Sequence, residues 1–378
     1  MESDVPDSSK RLILCLVADE QAVERFPTAL RYLQIGLIDE PIDTIIVVSE
    51  RGRPICLEGG PATIIAYHDM QWPLTRWGYK FAADAARRKV NSLQHDAPVI
   101  VHALTAASAQ VAVEIAEAVR GELVLTISSI AEIEDSVVSR CCAKAATLIL
   151  PSRQLEQALA ASPLAGKTTA VVPVGVVSTF APAAFSNPQR APSLVYAGTL
   201  SNGSAVESLL RAAKLVLAHD PNLLVFVVGK GPAESNLRHL SDSLELHPNV
   251  TFTGRLEHWR LALEAADIFC LPASQGTFHE ELIHALATGL AVVAPADCVC
   301  DGLIDDQTAL LFPGEDHVRM AAQISRLLAD HALARRIAAA GQSYARASNS
   351  VARMVAEHVR IYRELDPRGR TIPMPVAR

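Results

Sequence analysis

Aromatic residues are scarce in this chain of 378 residues: Phe, Trp and Tyr make up 5% of it, although hydrophobic residues together make up 50%. An interior so poor in rings must be packed from Ala, Leu, Val and Ile, the composition of buried parallel sheets covered by helices. Basic charge is not in excess either, since 34 Lys and Arg face 41 Asp and Glu for a formal charge of -7. Nucleic-acid affinity rests on Lys and Arg neutralising phosphates, so the balance argues against a polyanion binder. Long apolar runs are missing. The uncharged stretch Leu282 to Ala296 is interrupted by His284, Thr288, Gly289 and Pro295, and it falls short of the ~20 apolar residues that span a bilayer. Met1 to Lys10 are polar and acidic, and Leu12 to Ala18 is too short and wrongly flanked for a signal peptide. The seven cysteines (Cys15, Cys56, Cys141, Cys142, Cys270, Cys298, Cys300) form no C-x-x-C pair and sit mostly in apolar segments. Reduced thiols in a cytoplasmic protein are the simplest reading. Cys298 and Cys300 have no second Cys or His cluster at ligand spacing, so no metal site is expected.

Short β-branched runs alternate with Ala-rich stretches of helical period along the whole chain, the pattern of repeated βαβ units and parallel sheets. The expected strands of the front half are Leu12 to Val17, Thr44 to Ser49, Ala62 to Ala66, Pro98 to His102, Leu123 to Thr126, Thr147 to Leu150 and Thr169 to Val172. Between them, Arg25 to Ile38, Arg76 to Leu93, Ala106 to Arg120, Ile130 to Ala143 and Ser152 to Ala161 repeat small apolar residues at helical spacing. The Pro-rich segment from Phe180 to Pro192 breaks both periods and reads as a linker. Strands resume at Leu194 to Ala197, Leu223 to Val228, Val250 to Thr253, Ile268 to Leu271, Ala291 to Ala294 and Ala309 to Phe312. Helices close the chain at Asp316 to Ala329, Ala332 to Ala347 and Ser350 to Leu365. At about 100–200 residues per domain, the reading is a domain over 11–180, a linker over 181–192, a second domain over 193–347 and a helix over 348–366 that returns to the first, with tails 1–10 and 367–378. The basic run Arg87-Arg88-Lys89 reads as solvated charge at a helix C-terminus, with contact to an anionic membrane surface or lipid acceptor as the alternative.

The second half resembles the donor domain of the family 4 (group 1) retaining glycosyltransferases of the GT-B fold. Five segments carry the likeness: Val195-Tyr-Ala-Gly-Thr-Leu200, Asp220-Pro-Asn-Leu-Leu-Val-Phe-Val-Val-Gly-Lys-Gly-Pro232, Asn249-Val-Thr-Phe-Thr-Gly254, Ala265-Ala-Asp-Ile-Phe-Cys-Leu-Pro-Ala-Ser274 and His284-Ala-Leu-Ala-Thr-Gly-Leu-Ala-Val-Val-Ala294. In the front half, Ile100-Val-His102, Ala145-Ala-Thr-Leu-Ile-Leu-Pro-Ser152 and Val171-Val-Pro-Val-Gly-Val-Val-Ser-Thr-Phe180 are similar to the acceptor domain. The resemblance implies two Rossmann-like domains across a cleft, a nucleotide-diphosphate sugar as substrate, a carbohydrate or glycolipid acceptor, and neither cofactor nor metal. Strand-end glycines support the same site on physical grounds, because ligands of open parallel sheets gather at the carboxyl ends of the strands. Gly198, Gly229, Gly231, Gly254 and Gly276 all fall there, either to bring backbone N–H groups to a ligand or simply as turn residues.

Against the family pattern, Thr199 and Ser204 stand where two basic residues neutralise the diphosphate, and Gln275 or Gly276 and His284 stand where two glutamates lie eight apart. Lys230 and Arg255 are the candidate replacement cations, or solvated loop charges. His279 and His284 are candidate donors to phosphate or sugar, with a satisfied buried histidine as the alternative for His284. Glu280 and Glu281 are either displaced acidic contacts or helix N-terminal acids. Leu256, Thr277 and Phe278 complete the donor-side candidates, and His102 and Ser128 are the acceptor-side ones. No catalytic base is assigned. The function implied is sugar transfer from a nucleotide sugar; a non-catalytic partner or binding subunit, engaging another protein, is the alternative, and an epimerase or phosphorylase of GT-B type a third.

Overall fold

The computed structural model describes residues 11–20, 22, 26–50, 62–67, 75–93, 97–201, 205–256, 258–314 and 316–369. The chain divides into two compact units, the first taking in residues up to Gly175 and again from Val351, the second Val176–Ser350.

In the first unit, β1 (Leu12–Ala18), β2 (Ile42–Ser49), β3 (Thr63–Tyr67), β4 (Val99–Ala103), β5 (Glu122–Thr126), β6 (Thr147–Leu150) and β7 (Thr169–Val171) form one parallel sheet, ordered β3-β2-β1-β4-β5-β6-β7. Every residue of β1 is buried, as a central strand covered on both faces must be. The helices here are α1 (Pro27–Gly36), α2 (Thr75–Ser92), α3 (Ala109–Val119), α4 (Ile130–Glu134), α5 (Ser136–Lys144) and α6 (Arg153–Ala160). The single helix expected over Ile130 to Ala143 is two. Asp135 adopts an extended backbone (φ -69°, ψ 126°) and its carboxylate accepts from the N–H groups of Val137 and Val138 at 2.8 and 2.9 Å, which stops α4 and caps α5.

The second unit repeats the plan. Its strands β8 (Ser193–Ala197), β9 (Leu224–Val228), β10 (Val250–Gly254), β11 (Ile268–Cys270), β12 (Ala291–Pro295) and β13 (Leu310–Phe312) run parallel in the order β10-β9-β8-β11-β12-β13. Around them lie α7 (Ala205–Leu217), α8 (Glu234–Ser243), α9 (Trp259–Glu264), α10 (Glu280–Thr288), α11 (His317–Ala329) and α12 (His331–Ser348). Residues 181–192, expected from composition to link two domains, are strapped onto this unit. The buried Asp267 carboxylate accepts from Phe185 N at 2.8 Å, Ser193 N at 2.9 Å, Ser193 Oγ at 2.9 Å and Arg190 Nη2 at 2.7 Å. The Phe185 ring stacks on His331, with centroids 4.0 Å apart.

The chain then re-enters the first unit through α13 (Val351–Glu364). Met354, Val355, Val359 and Tyr362 join Leu30, Leu33 and Leu37 of the α1 region over Leu12, Leu14, Leu16, Ile100 and Val124 of the sheet, one continuous apolar core. Burial of each such side chain stabilises by about 1.5–3 kcal/mol, so α13 belongs to the first unit's core and is not an appended tail.

Both sheets reverse strand order once, between β1 and β4 and between β8 and β11. In open α/β sheets that reversal leaves a crevice beyond the carboxyl ends, where ligands bind.

Candidate functional site

In the second unit the backbone after β8, β9 and β10 stays zipped past the strand ends. Gly198 N donates to Val228 O, Leu200 N to Lys230 O and Gly229 N to Gly254 O, each at 3.0 Å. A Cβ at Gly229, whose φ is 149°, would lie 1.9 Å from Gly198 O, and one at Gly231 would lie 2.0 Å from Leu200 O. No side chain fits there. These glycines therefore let three strand tips lie against one another and present a surface made of backbone.

Across the reversal, β11 leads into the loop Leu271 to His279. Gln275 and Gly276 have φ of 51° and 62°, and Thr277 N donates to Ser274 O at 3.0 Å, the pattern of a turn with two left-handed central residues. Left-handed backbone at a glutamine costs on the order of 1–3 kcal/mol and is held only where the surroundings impose it. Here it places an exposed Gln275 at the head of the loop. Beneath it, Ser274 and Phe278 are buried, Ser274 Oγ donates to Thr277 O at 3.3 Å and His279 Nε2 to Ser274 O at 3.4 Å.

Helix α10 begins at Glu280. Its four-residue spacing to His284 puts both side chains on one helix face, and His284 Nε2 donates to Glu280 Oε1 at 2.9 Å with the two side chains 2% and 1% exposed. Trp259 of α9 sets its ring edge-on to His284, with centroids 5.2 Å apart. Glu280 Oε2 has no hydrogen-bond partner. A buried acceptor left unpaired is costly and rare, and this one sits one turn above the position at which the resemblance expects the second glutamate. Glu281, on the outer side of the same turn, lies 4.0 Å from His279 Nδ1. Burial, and then the charge of Glu281, push the Tyr196 hydroxyl up from its ordinary value, so the β8 tip and the start of α10 lie within electrostatic reach of each other.

Lys230 and Arg255 are exposed at the tips of β9 and β10, and Leu256 is exposed beside them. The Lys230 stem passes over Gly254, 3.4 Å from where a Cβ would stand. Neither cation forms an ion pair among the described residues. Thr199 is exposed, and its carbonyl accepts from Tyr196 Oη at 3.4 Å. Ser204 lies outside the described residues. Thus Gly198, Thr199, Gly229, Lys230, Gly231 and Arg255 belong to the adjoining tips of β8, β9 and β10, and Gln275 to His284 to the facing loop and helix. Local sequence carried no sign of the Trp259 contact to His284 or of the tie between Tyr196 and Glu281, which join residues far apart in the chain. The Glu280 and His284 spacing was readable, and a buried His284 was one of its two readings; the burial of Glu280 with it was not.

The first unit ends its sheet differently. At its reversal, Thr105 Oγ1 donates to Asp19 Oδ1 at 2.7 Å and Ala22 N donates to the same oxygen at 3.0 Å, drawing the loops after β1 and β4 together. Next to them is a cavity of about 70 Å³, lined by Phe26, Leu30, Leu104, Ile149, Val172 and Met354 among others, with Thr126 and His358 as its polar members. His102 is fully buried, with Nδ1 2.8 Å from Tyr362 Oη and Nε2 2.8 Å from Thr126 Oγ1. Burial, and then the nearby His358, hold its imidazole well below the ordinary value. Ser128 is buried as well, and its N–H donates to Glu132 Oε2 at 2.7 Å as part of the start of α4. The described cysteines are all buried and none is in a disulfide, and burial pushes the thiols of Cys298 and Cys300 up, that of Cys300 to about 12. Among the described residues, no cluster of three or more His, Cys, Asp or Glu is placed to hold a metal ion, and no helix is long and apolar enough to cross a membrane.

Known proteins locate this arrangement. Over 94% of its length the chain superimposes on sucrose-phosphate synthase of Thermosynechococcus elongatus, covering 99% of that protein, with a TM-score of 0.78 at 21% identity. HepE of Anabaena, solved in complex with UDP and glucose, gives a TM-score of 0.78 at 14% identity over 92% of this chain and 98% of its own. At such identity the likeness establishes the fold, GT-B. In sequence, 150 residues are 32% identical to the GDP-mannose-dependent monoacylated alpha-(1-6)-phosphatidylinositol monomannoside mannosyltransferase of Corynebacterium glutamicum, 37% of this chain and 39% of that one. A further 126-residue match, 28% identical, is to the alpha-monoglucosyldiacylglycerol synthase of Streptococcus pneumoniae and covers 29% of it. The matched stretches thus span about two fifths or less of these curated relatives. The family of glycosyl transferases group 1 matches residues 191–330. That segment runs from just before β8 to the end of α11 and contains every strand tip of the second sheet, so the second unit carries a group 1 glycosyl transferase domain.

Proposed function

We propose that the chain is a glycosyltransferase that moves a sugar from a nucleoside diphosphate sugar, held at the β8, β9 and β10 tips, to an acceptor held by the first unit. The observation that carries this reading is the coincidence of the group 1 match with the unit whose strand reversal presents close-packed glycine backbone on one side and a strained polar loop on the other. In the reaction the bond from the anomeric carbon to the diphosphate oxygen breaks, a bond to the acceptor oxygen forms, and the acceptor proton passes to the departing diphosphate. Such a route needs no protein nucleophile and retains configuration; the reading assigns the chain neither metal nor further cofactor. Lys230 and Arg255 supply positive charge to the leaving group in place of the basic pair replaced at Thr199 and Ser204, stabilising charge that grows in the transition state. Gln275 is the polar group offered to the sugar and ribose hydroxyls, and the buried Glu280–His284 pair fixes the helix start behind its loop. An acceptor with an aliphatic part suits the apolar cavity of the first unit. The absence of a disulfide among the described, buried cysteines fits a cytoplasmic site of action.

The test is to incubate the chain with UDP-, GDP- and ADP-sugars and a bacterial lipid or glycan extract, following release of nucleoside diphosphate and label transfer. One donor should turn over, with kcat/KM reduced in Lys230→Ala/Arg255→Ala. No nucleotide release with any donor, and no thermal shift from any nucleotide, would sink the proposal in favour of a non-catalytic subunit.

A further inference from the structure

The apolar cavity of the first unit has two polar groups in its wall, and what stands behind each of them fixes its proton. The cavity lies between α1, α13 and the end residues of β5 and β6, with Leu30, Leu33, Ile149 and Met354 in its lining. His358 of α13 lines it too and is 8% exposed. Its Nδ1 stands 2.8 Å from Met354 O, one turn back on the same helix. A carbonyl only accepts, so Nδ1 carries the proton, and burial, which lowers the imidazole below its ordinary value, keeps the ring neutral. Nε2 is therefore a bare lone pair, with no hydrogen-bond partner among the described residues. Thr126 is the second polar group. Behind it, Tyr362 Oη is 2.8 Å from His102 Nδ1, and His102 Nε2 is 2.8 Å from Thr126 Oγ1. Among the described residues the buried Tyr362 hydroxyl has no other acceptor, so it donates to Nδ1. The neutral His102 ring then donates from Nε2 to Thr126 Oγ1. That leaves the Thr126 hydroxyl proton without an acceptor among the described residues.

We propose that this cavity is a binding site for a small aliphatic alcohol, or for a hydroxyl-bearing stretch of a longer aliphatic molecule. The hydroxyl donates to His358 Nε2 and accepts from Thr126 Oγ1, while the carbon chain lies against Leu30, Leu33, Ile149 and Met354. One lone pair and one proton are what a hydroxyl needs on its two sides. Other polar groups fit worse. A carbonyl or ether oxygen would accept from Thr126 and leave Nε2 unpaired, and a carboxylate or ammonium would enter without a counter-charge, since none of the lining residues is Asp, Glu, Lys or Arg. Water alone fills the cavity poorly: its volume of about 70 Å³ exceeds the ~10–15 Å³ that one water needs, and the wall beyond the two polar groups is apolar. As the seat of an acceptor's aliphatic part the site rests on the transferase reading; as a binding site for an alcohol it is tested without any nucleotide, so either can fail alone.

The experiment is calorimetric titration of the full chain with n-hexanol, with methyl pentyl ether, which has the same number of heavy atoms but no proton to donate, and with hexanoate. The alcohol should bind about tenfold more tightly than the ether, and hexanoate should not bind. His358→Phe keeps a ring in the wall and removes the lone pair, so it should bind alcohol and ether alike. A second readout needs no variant: in nitrogen NMR of the unaltered chain, the bare-nitrogen resonance of His358 should move toward the hydrogen-bonded range as hexanol saturates the site. Equal affinity for alcohol and ether, hexanoate binding as tight as hexanol, or no binding of any of the three would overturn the proposal. So would a preference for the alcohol that persists in His358→Phe, or a His358 resonance that hexanol leaves unmoved, the sign that water alone meets Nε2.

Discussion

At the reversal of the first sheet Asp19 and Thr105 close on each other and an apolar cavity lies alongside, whereas at the reversal of the second the strand tips expose backbone, two free cations and a strained polar loop. The strand order around the two reversals is the same. The difference shows that the fold only nominates a crevice, and that the residues beyond the strand ends decide what chemistry it accepts. The proposed reading puts the diphosphate at the second and an apolar group at the first.

The largest test of that contrast is His284→Ala, which strands the Glu280 carboxylate inside the second unit. Breaking a buried pair from one side costs about 3–5 kcal/mol, so urea unfolding should show a loss of that size, and Glu280→Leu/His284→Leu should recover most of it. Next comes Gly229→Ala. The added Cβ meets the Gly198 carbonyl, and the clash should cost about 2 kcal/mol or more while abolishing nucleotide binding by prying the β8 and β9 tips apart. Asp19→Ala sharpens the comparison from the other side: it removes the acceptor for Thr105 and Ala22 at about 1–3 kcal/mol, yet leaves nucleotide affinity unchanged. A pH titration adds the smallest effect near neutrality. Because burial lowers both His102 and His358, the unfolded chain binds more protons than the folded one once pH falls below the ordinary histidine value of ~6.5. Stability contributed by the neutral rings is complete above that pH and drains away as pH drops toward the folded values, and His358→Gln should flatten the slope measured by thermal melts.

All thirteen described strands fall where β-branched runs predicted them, because a parallel sheet buried on both faces leaves little but Val, Ile and Leu in its strands. Features set by distant partners were hidden. The break at Asp135 looks like helix interior until its carboxylate is seen capping Val137 and Val138. His102 reads as an available imidazole, since Thr126 and Tyr362, which occupy its nitrogens, lie 24 and 260 residues away. Composition made residues 181–192 a linker; the buried Asp267, far along the chain, is what pins them. At the tips of β8, β9 and β10 the strand-end glycines were legible by type and position. The left-handed backbone of Gln275 was not, because nothing about a glutamine announces it.

The most direct measurement is calorimetric titration of UDP, GDP and ADP into the full chain, Lys230→Ala/Arg255→Ala and Asp19→Ala. The account predicts that one nucleotide binds, that the double variant binds it at least about tenfold more weakly, at roughly 1.4 kcal/mol per decade, and that Asp19→Ala binds it as well as the unaltered chain. Binding that survives the double variant but disappears with Asp19→Ala would place the diphosphate at the first sheet and contradict the account.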